Sequence, residues 1–490
     1  MQNNSHRNKK TQSICPECRK KTDARIVTRG DIVYLEKECS EHGSFQDVYW
    51  SDVKSYDRAW DLRFDGEGLD NPQTETKKGC PYDCGICPQH KSMTLLAILD
   101  VTNRCNLRCP VCFANAAESG YTYEPSKEQI ITMLKNLREN RPLPVPALQF
   151  SGGEPTLRED LPELIQTAEK MGFLNIEVNT NGIKLAQSLD YCRTLKDSGL
   201  HTVYLQFDGL TPEVYKFTRG RDLVDVKMKA IENCRIVGIH SIVLVVTLIK
   251  GVNEKEMGDI IRFAAENFDV IRCINVQPVS LVGRIPKEEV KKLRITIPDF
   301  MKCVEEQTNG IIRATDFYPV PSEVPISKAV GALKNEKYPD FTAHPHCGTA
   351  TYFFLKKGKI VPINRYANVD EVLNSLRKVY RLASEGHKFR ARIQLMKSLR
   401  HMKFGMLQRY LWPVLTRGTF DALRIIHYKM ILLSCMHFMD AYNFDQERVC
   451  RCLIHYPVPD GRIIPFCSYN NLGYREEIEK KYGQQRGGQC

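Results

Sequence analysis

One cysteine pattern, C-x3-C-x2-C, occurs twice between residues 77 and 116. The first triplet is Cys80, Cys84 and Cys87, and the second triplet is Cys105, Cys109 and Cys112. Cys thiolates are the usual ligands of iron–sulfur clusters. Three cysteines can bind three irons of a [4Fe–4S] cluster and leave the fourth iron open to another ligand. The pattern therefore predicts two loops that each bind a metal cluster.

The other cysteines also indicate metal binding. The chain has 19 cysteines among 490 residues, several of them in C-x2-C spacing. A secreted disulfide scaffold would be shorter, and disulfides are rare in the cytosol. The N-terminal segment MQNNSHRNKKTQ lacks an apolar core, so we expect no signal peptide and a cytoplasmic protein. The formal net charge of +12 favours an anionic partner, such as nucleic acid, acidic lipid headgroups or a phosphorylated substrate.

Between about residue 93 and residue 300, short apolar stretches alternate with amphipathic stretches such as LPELIQTAEKMGF at 161–173. The predicted strands are LLAILDV (95–101), ALQFSG (147–152), IEVNTNG (176–182), TVYLQFDG (202–209), IVLVVTL (242–248) and CINVQPV (273–279). This alternation predicts βαβ units around a parallel sheet. The predicted fold class is α/β, with a partial TIM-like (β/α)6 barrel, an N-terminal metal-binding knuckle and a cysteine-rich α+β C-terminal domain. Active sites of such barrels lie at the C-terminal ends of the strands.

Three motifs follow predicted strands in order: the second triplet (CNLRCPVC), SGGEP at 151–155 and NTNG at 179–182. A plain structural zinc site would explain the triplet but not the other two motifs. The ordered set resembles the radical SAM superfamily. That resemblance implies a catalytic [4Fe–4S] cluster on the second triplet, S-adenosylmethionine (SAM) as cofactor and a 5′-deoxyadenosyl radical. It further implies cofactor-binding residues at Gly152, Gly153, Glu154, Asn179, Thr180, Asn181 and Asp208, with Glu154 on the methionyl amine.

The remaining cysteine sets are predicted to bind further metals. The first triplet is auxiliary and needs a distant fourth ligand, for which Cys347 is a candidate. A second auxiliary set is expected from Cys435, Cys450, Cys452 and Cys467. Cys15, Cys18, Cys39 and His42 have the spacing of a tetrahedral knuckle for zinc or a single iron. The isolated cysteines 192, 234, 273 and 303 are assigned to packing, since free cysteine behaves as a small apolar residue.

Several stretches more closely resemble the archaeal tetraether lipid synthase family, among them GCPYDCGICPQH and SCMHFMDAYNFD at 434–445. This resemblance implies three [4Fe–4S] clusters, one mononuclear metal, coupling of isoprenoid chain ends and an anionic diether phospholipid substrate. A reduced ferredoxin or flavodoxin would supply electrons, and no nucleic acid is expected. The basic and apolar segment 376–430 would bind the lipid or place the protein peripherally at the inner membrane face.

These inferences predict four regions: a Cys3His metal-binding domain at 1–60, an auxiliary iron–sulfur segment at 61–92, the radical SAM barrel at 93–300, and an auxiliary-cluster and lipid-binding domain at 301–490. Two alternatives stay open at this point. A radical SAM methylase acting on a pterin-like heterocycle would share every cluster motif but would not need a long apolar tunnel. A basic, zinc-ribbon-bearing nucleic-acid-binding protein would give no reason for GGEP after the second strand.

Overall fold

The computed structural model describes residues 7–285, 290–403 and 429–485. The chain begins with a four-stranded antiparallel sheet, followed by helix α1 (Val53–Asp61). Its strands pair in sequence order: β1 (Lys9–Ile14), β2 (Lys21–Arg29), β3 (Ile32–Cys39) and β4 (Gly43–Trp50). Burial alternates along β2, so one face of this sheet is packed and the other is exposed.

The largest sheet of the described residues has twelve strands. The six predicted strands form its central, parallel part. Those are β5 (Leu96–Thr102), β7 (Ala147–Gly152), β8 (Asn175–Thr180), β9 (Thr202–Gln206), β10 (Ile242–Leu248) and β11 (Ile271–Pro278). They pair in this order and all run parallel. A short β6 (Tyr121–Thr122) lies outside this sheet and pairs with β18 (Gln484–Gln485).

Helices cover one face of the parallel strands, as βαβ connections require. The helices up to residue 307 are α2 (Lys127–Arg138), α3 (Leu161–Lys170), α4 (Ile183–Gln187), α5 (Leu189–Asp197), α6 (Pro212–Arg219), α7 (Val224–Val237), α8 (Met257–Glu266), α9 (Val290–Leu293) and α10 (Ile297–Gln307). The N-terminus of α2 shows why the chain turns into a helix there. Ser126 accepts a hydrogen bond from the Gln129 amide, and the Gln129 side chain accepts one from the Ser126 amide.

The C-terminal third extends the large sheet at both edges. Its strands are β12 (Tyr318–Pro319), β13 (Gly348–Lys356), β14 (Lys359–Pro362), β15 (Ile431–Met436), β16 (Ile454–Pro457) and β17 (Ile463–Pro465). β15 pairs parallel with β11, and β16 pairs parallel with β5. The helices are α11 (Val324–Lys334), α12 (Val369–Ser384), α13 (Lys388–Ser398), α14 (Gln446–Val449), α15 (Phe466–Asn471) and α16 (Tyr474–Tyr482). The predicted α/β partial barrel is thus present, and strands from the fourth predicted region complete its sheet; the four-region division itself stays a prediction.

The two faces of the parallel strands differ in polarity. Ile176, Val178, Val203, Leu205 and Ile274 are buried in the main core. Their neighbours in sequence point to the opposite, concave face, because side chains alternate along a strand. Among the cysteines assigned to packing, 192 and 234 are in the main core and 303 packs against it, whereas 273 lies on the concave face.

No helix among the described residues has both the length and the apolarity that a membrane crossing requires. Much of the basic segment 376–430, including residues 404–428, lies outside the described residues. Within the described part, α12 buries Leu376 and Val379 against α11 and α13. The predicted lipid-binding role of this segment therefore gains no support from the fold.

Candidate active site

The second triplet lies on the loop that follows β5, at the C-terminal end of the sheet. Its three thiols lie within electrostatic reach of one another, since the charges of ionised Cys109 and Cys112 contribute to the raised pKa of Cys105. Burial is the main cause that raises the Cys105 pKa, to about 12. The apolar side chains of Leu107 and Tyr215 pack around this group. Three thiols on one loop fit an iron–sulfur cluster, and bound iron would stabilise the thiolate forms of Cys105 and Cys109, which burial disfavours.

Two arginines that the motifs did not reveal fix this loop by its backbone carbonyls. Arg219 donates to the Val111 carbonyl at 3.1 Å, and the Arg284 Nε donates to the Cys109 carbonyl at 2.7 Å. Gly283 lies so close that an added Cβ would meet the Cys112 carbonyl oxygen at 2.4 Å. These contacts join residues far apart in sequence, and only the fold brings them together.

The glycines of SGGEP approach the loop that leads into the triplet. A Cβ on Gly152 would meet the Thr102 carbonyl oxygen at 2.1 Å, and one on Gly153 would meet the Arg104 carbonyl oxygen at 2.2 Å. The Gly153 amide donates to the Thr102 carbonyl at 2.7 Å. Gly152 and Gly153, predicted to bind the cofactor, thus lie against the chain that leads into the triplet, and they place Glu154 close enough to act on Cys105.

Glu154 joins the SGGEP and NTNG motifs. Its carboxylate accepts hydrogen bonds from the Thr156 and Thr180 hydroxyls at 2.5 and 2.7 Å, and from the Asn181 amide at 2.8 Å. The Asn181 side chain donates to Asn106 within the triplet loop at 2.7 Å. The predicted cofactor residues Glu154, Thr180 and Asn181 are thus one connected group at the triplet. Asn179, in contrast, bonds to Ser151 on the concave face.

Asp208 is buried and bonds to protein groups. It accepts two hydrogen bonds from Arg219, at 2.6 and 2.9 Å, and further bonds from the Gln206 side chain and the Thr247 amide. Lys227 donates to Gln206 at 2.8 Å and to the Asn181 carbonyl at 2.6 Å. Asp208 therefore acts on the triplet loop through Arg219, and a continuous polar network connects NTNG with that loop.

The first triplet meets Cys450 and not Cys347. The Sγ atoms of Cys80 and Cys450 are 3.7 Å apart, and one cavity is lined by Cys80, Cys84, Cys87 and Cys450. Four cysteines are the usual ligand number of a [4Fe–4S] cluster, so this set fits one. Helix α14 ends next to the first triplet, so Cys450 lies where Cys347 was predicted, and it lies apart from the set of Cys435, Cys452 and Cys467 in which it was predicted.

A third group is formed by Cys347, Cys452 and Cys467, because the charges of Cys347 and Cys452 contribute to the raised pKa of Cys467. The Arg448 Nε donates to the Cys347 Sγ at 3.3 Å, and the Cys347 and Cys467 thiols both raise the pKa of Arg448. Cys435 is absent from this group. It lies on β15 in the main core, where burial raises its pKa and no other thiol contributes. Its predicted place among the auxiliary ligands is therefore not supported, because β15 is an interior strand of the large sheet.

The N-terminal set converges as predicted. The ligand atoms of Cys15, Cys18, Cys39 and His42 all lie within 4.8 Å of one another, and they are the one such set found among the described residues. Backbone and His42 hydrogen bonds lower the pKa of Cys39 to about 6, which favours the thiolate that binds metal. Three thiolates and an imidazole suit a tetrahedral zinc or iron ion.

The concave face of the sheet is polar beside these metal sites. Half-buried residues there are Glu177, Asn179, Tyr204, Gln206, Asn275, Gln277 and Ser434. They lie on interior strands, so their partial exposure marks a hollow within the partial barrel. Sequence analysis missed this lining, although the alternation of polar with apolar residues in IEVNT and INVQP was its signal.

Comparison with known proteins agrees with this geometry. Residues 99–264 match the Radical SAM superfamily, and residues 8–51 match the HMPTM N-terminal zinc ribbon domain. A 7,8-dihydro-6-hydroxymethylpterin dimethyltransferase of Methanocaldococcus jannaschii is 49% identical over 487 residues, covering 97% of this chain and 95% of that protein. A probable GTP 3′,8-cyclase of Methanothermobacter thermautotrophicus is 30% identical over 36% of this chain and 56% of that protein. The crystal structure of Streptococcus suis SuiB bound to precursor peptide SuiA gives a TM-score of 0.37 at 22% identity, covering 45% of this chain and 47% of that one.

These findings overturn one set of expectations and confirm another. The tetraether lipid synthase assignment, the coupling of isoprenoid chains and the diether phospholipid substrate are wrong, since the near-full-length relative is named for a pterin. The cysteine motifs could not identify the substrate, because enzymes that act on different substrates share the same set of cluster ligands. The radical SAM fold and a zinc ribbon domain are confirmed, and with them one [4Fe–4S] cluster and SAM as cofactors. The chain is a radical SAM enzyme and belongs to the family of the 7,8-dihydro-6-hydroxymethylpterin dimethyltransferase.

Proposed function

We propose that this enzyme transfers methyl groups to a 6-hydroxymethyl-7,8-dihydropterin. The observation that carries the proposal is the 49% identity over nearly the whole length of both chains to a relative of that name. Identity of this extent includes the ribbon, the barrel and the cysteine-rich C-terminal third. The proposal corresponds to the pterin-methylase alternative that the motifs left open.

The polar concave face supports a heterocyclic substrate. Glu177 in the middle of β8, and Tyr204, Asn275 and Gln277 nearer the C-terminal ends of their strands, offer hydrogen-bonding groups on this face. The Asn275 Oδ1 is buried without a partner in the described part of the chain, and an alkyl chain packed against it would leave it unpaired, at a cost of about 1–3 kcal/mol. A pterin carries donors and acceptors along its rings, so it can pair with this atom and with the remaining hydrogen-bonding capacity of the other groups.

We assign the metal groups as follows. Cys105, Cys109 and Cys112 would hold the cluster that, when bound, supplies the electron for reductive SAM cleavage. Glu154, Thr180 and Asn181 would orient SAM beside it, and Arg219 and Arg284 keep the loop in place. Cys80, Cys84, Cys87 and Cys450 would hold one auxiliary cluster, and Cys347, Cys452 and Cys467 would contribute to another. A reduced ferredoxin or flavodoxin is the proposed electron donor.

Mass spectrometry tests the function. Reconstituted enzyme is incubated anaerobically with excess SAM, a reductant, a reduced folate that carries a one-carbon unit, and 7,8-dihydro-6-hydroxymethylpterin. Reductive cleavage leaves the methyl group of that SAM on methionine, so the transferred carbon must come from a second SAM, which leaves as S-adenosylhomocysteine, or from the folate. We expect the pterin to gain the mass of one and then two methyl groups. The control is the variant with alanine at positions 105, 109 and 112, which should leave the pterin unchanged. An unmodified pterin with the wild-type enzyme, under conditions in which SAM is cleaved, would contradict the proposal.

A further inference from the structure

Glu177, in the middle of strand β8, places a carboxylate in the hollow of the partial barrel. Glu177 is half-buried although its strand is interior and although Ile176 and Val178, on either side of it, are buried in the core. Its side chain therefore points to the concave face, as does that of Tyr204 on the neighbouring strand. Cys273 packs against Tyr204 on the same face, and the charge of ionised Glu177 contributes to the raised pKa of both.

Two side-chain amides, one on the neighbouring strand β7 and one on β8 itself, donate hydrogen bonds to the Glu177 carboxylate. Gln149 donates to Oε2 at 2.8 Å, and Asn175 donates to Oε1 at 2.7 Å. Each carboxylate oxygen keeps a further lone pair, since an ionised carboxylate has about four acceptor positions. Burial raises the pKa of Glu177, whereas the two amides lower it. No basic side chain is hydrogen-bonded to Glu177 among the described residues, so the charge has no protein counter-ion there.

We propose that Glu177 binds the aminopyrimidinone edge of the dihydropterin substrate. The 2-amino group and the N3–H of a pterin are adjacent donors, and the two carboxylate oxygens match them as a pair of parallel hydrogen bonds. The inference rests on the proposed function, because it assigns a substrate site to that reaction.

Tyr204 and Asn275 provide a second contact nearer the radical site. The Tyr204 hydroxyl accepts hydrogen bonds from Asn275 at 2.7 Å and from Gln277 at 2.9 Å, so its own proton is available to a ligand. The Asn275 Oδ1 is buried without a partner in the described part of the chain. Turning the amide over would move the unpaired atom but not remove it. These groups lie C-terminal to the level of Glu177, so the ring that carries the 6-hydroxymethyl group would face the triplet.

Binding to the holoenzyme tests the assignment. The probe is 7,8-dihydro-6-hydroxymethylpterin, titrated into wild type, Glu177→Gln and the control Glu266→Gln, which alters an exposed carboxylate on α8. We expect Kd to rise at least about tenfold in Glu177→Gln, because charge-assisted hydrogen bonds are lost, and to stay unchanged in the control. Equal iron content and equal reductive SAM cleavage would show that the variant is folded.

A second ligand tests whether Glu177 contacts the 2-amino group directly or whether its replacement only disturbs the binding site. The corresponding 6-hydroxymethyl-7,8-dihydrolumazine has a carbonyl oxygen in place of the 2-amino group. Wild type should prefer the pterin to the lumazine, and Glu177→Gln should lose most of that preference. If wild type binds the pterin and Glu177→Gln binds it equally well, the assignment of Glu177 is overturned while the proposed function stands. If wild type binds neither compound and leaves the pterin unmethylated, the proposed function itself fails.

Discussion

Lys227 is a buried cation within the network that joins NTNG to the triplet loop. Burial lowers its pKa from 10.5 to about 7, with the neighbouring Arg219 acting in the same direction. In the unfolded chain the same lysine titrates near 10.4. Between these values the unfolded chain binds the additional proton, so folded stability from this group increases as the pH rises from about 7 to about 10.

The corresponding prediction concerns Lys227→Met. The wild-type protein should gain stability relative to this variant as the pH is raised through that window, by at most about 1.4 kcal/mol per pH unit. Thermal unfolding midpoints of both proteins, measured anaerobically at several pH values, test it. Midpoint curves that stay parallel across the window would show that Lys227 does not titrate there.

Arg219 places a positive charge beside a cluster ligand, since it lowers the pKa of Cys109. Positive charge and hydrogen bonding near the thiolates raise the potential of an iron–sulfur cluster. Arg219→Met should therefore lower the midpoint potential of the SAM cluster by tens of millivolts. For a one-electron couple, about 59 mV corresponds to a tenfold change in the equilibrium constant for reduction. An EPR-monitored redox titration measures this, with the exposed Arg193→Met as control. An unchanged potential in a variant with full iron content would refute the role.

Residues of this kind show where sequence reasoning ends. Cys105, Cys109, Cys112 and Glu154 were predictable because their chemistry is tied to short motifs. Arg219 and Arg284 were not, because an arginine becomes informative only when the fold brings its guanidinium to a carbonyl more than 100 residues away. Glu177 looked like an ordinary strand residue for the same reason.

At the scale of elements, the six interior strands were predicted with ends that differ from the observed ones by at most three residues. IVLVVTL is β10 without change, since a parallel strand buried on both sides is a continuous apolar run. The short strands β15 and β16 were missed, because their partners β11 and β5 are distant in sequence. That omission also explains why Cys435 was grouped with the auxiliary ligands.

The placement of these elements predicts different outcomes for two cysteines. Cys450→Ser should destabilise the auxiliary cluster at the first triplet and lower the iron content by up to about four atoms. Cys435→Ser should leave the iron content unchanged, because that thiol lies in the core of the sheet. Iron and sulfide analysis after anaerobic reconstitution measures both. Loss of iron in Cys435→Ser, or none in Cys450→Ser, would contradict the assignment.

At the scale of the whole molecule, the zinc ribbon packs against both segments that supply the first auxiliary site. The Lys21 amide donates to the Tyr82 hydroxyl at 2.6 Å, and the Lys21 side chain donates to the Cys80 carbonyl at 3.1 Å. On the other side, Tyr49 donates to Asp445 at 2.9 Å, at the N-terminus of the helix that precedes Cys450. The ribbon therefore supports the position of the cluster ligands.

This arrangement predicts a one-way dependence between two metal sites. Cys18→Ser should release the ribbon metal and also reduce occupancy of the cluster on the first triplet, because the contacts of Lys21 and Tyr49 depend on the folded ribbon. Cys84→Ser should lose the cluster but keep the ribbon metal. Metal analysis combined with Mössbauer spectroscopy distinguishes the sites. Full cluster occupancy in a Cys18→Ser protein that lacks the ribbon metal would disprove the dependence.

The central claim is that radical formation at Cys105, Cys109 and Cys112 drives methylation of a dihydropterin. The most direct measurement follows 5′-deoxyadenosine and methylated pterin together, over time, in one anaerobic reaction. The account predicts that both products rise together with wild type and that neither forms when the three cysteines are replaced by alanine. Methylated pterin without 5′-deoxyadenosine, or sustained 5′-deoxyadenosine formation beside an unchanged pterin, would contradict it.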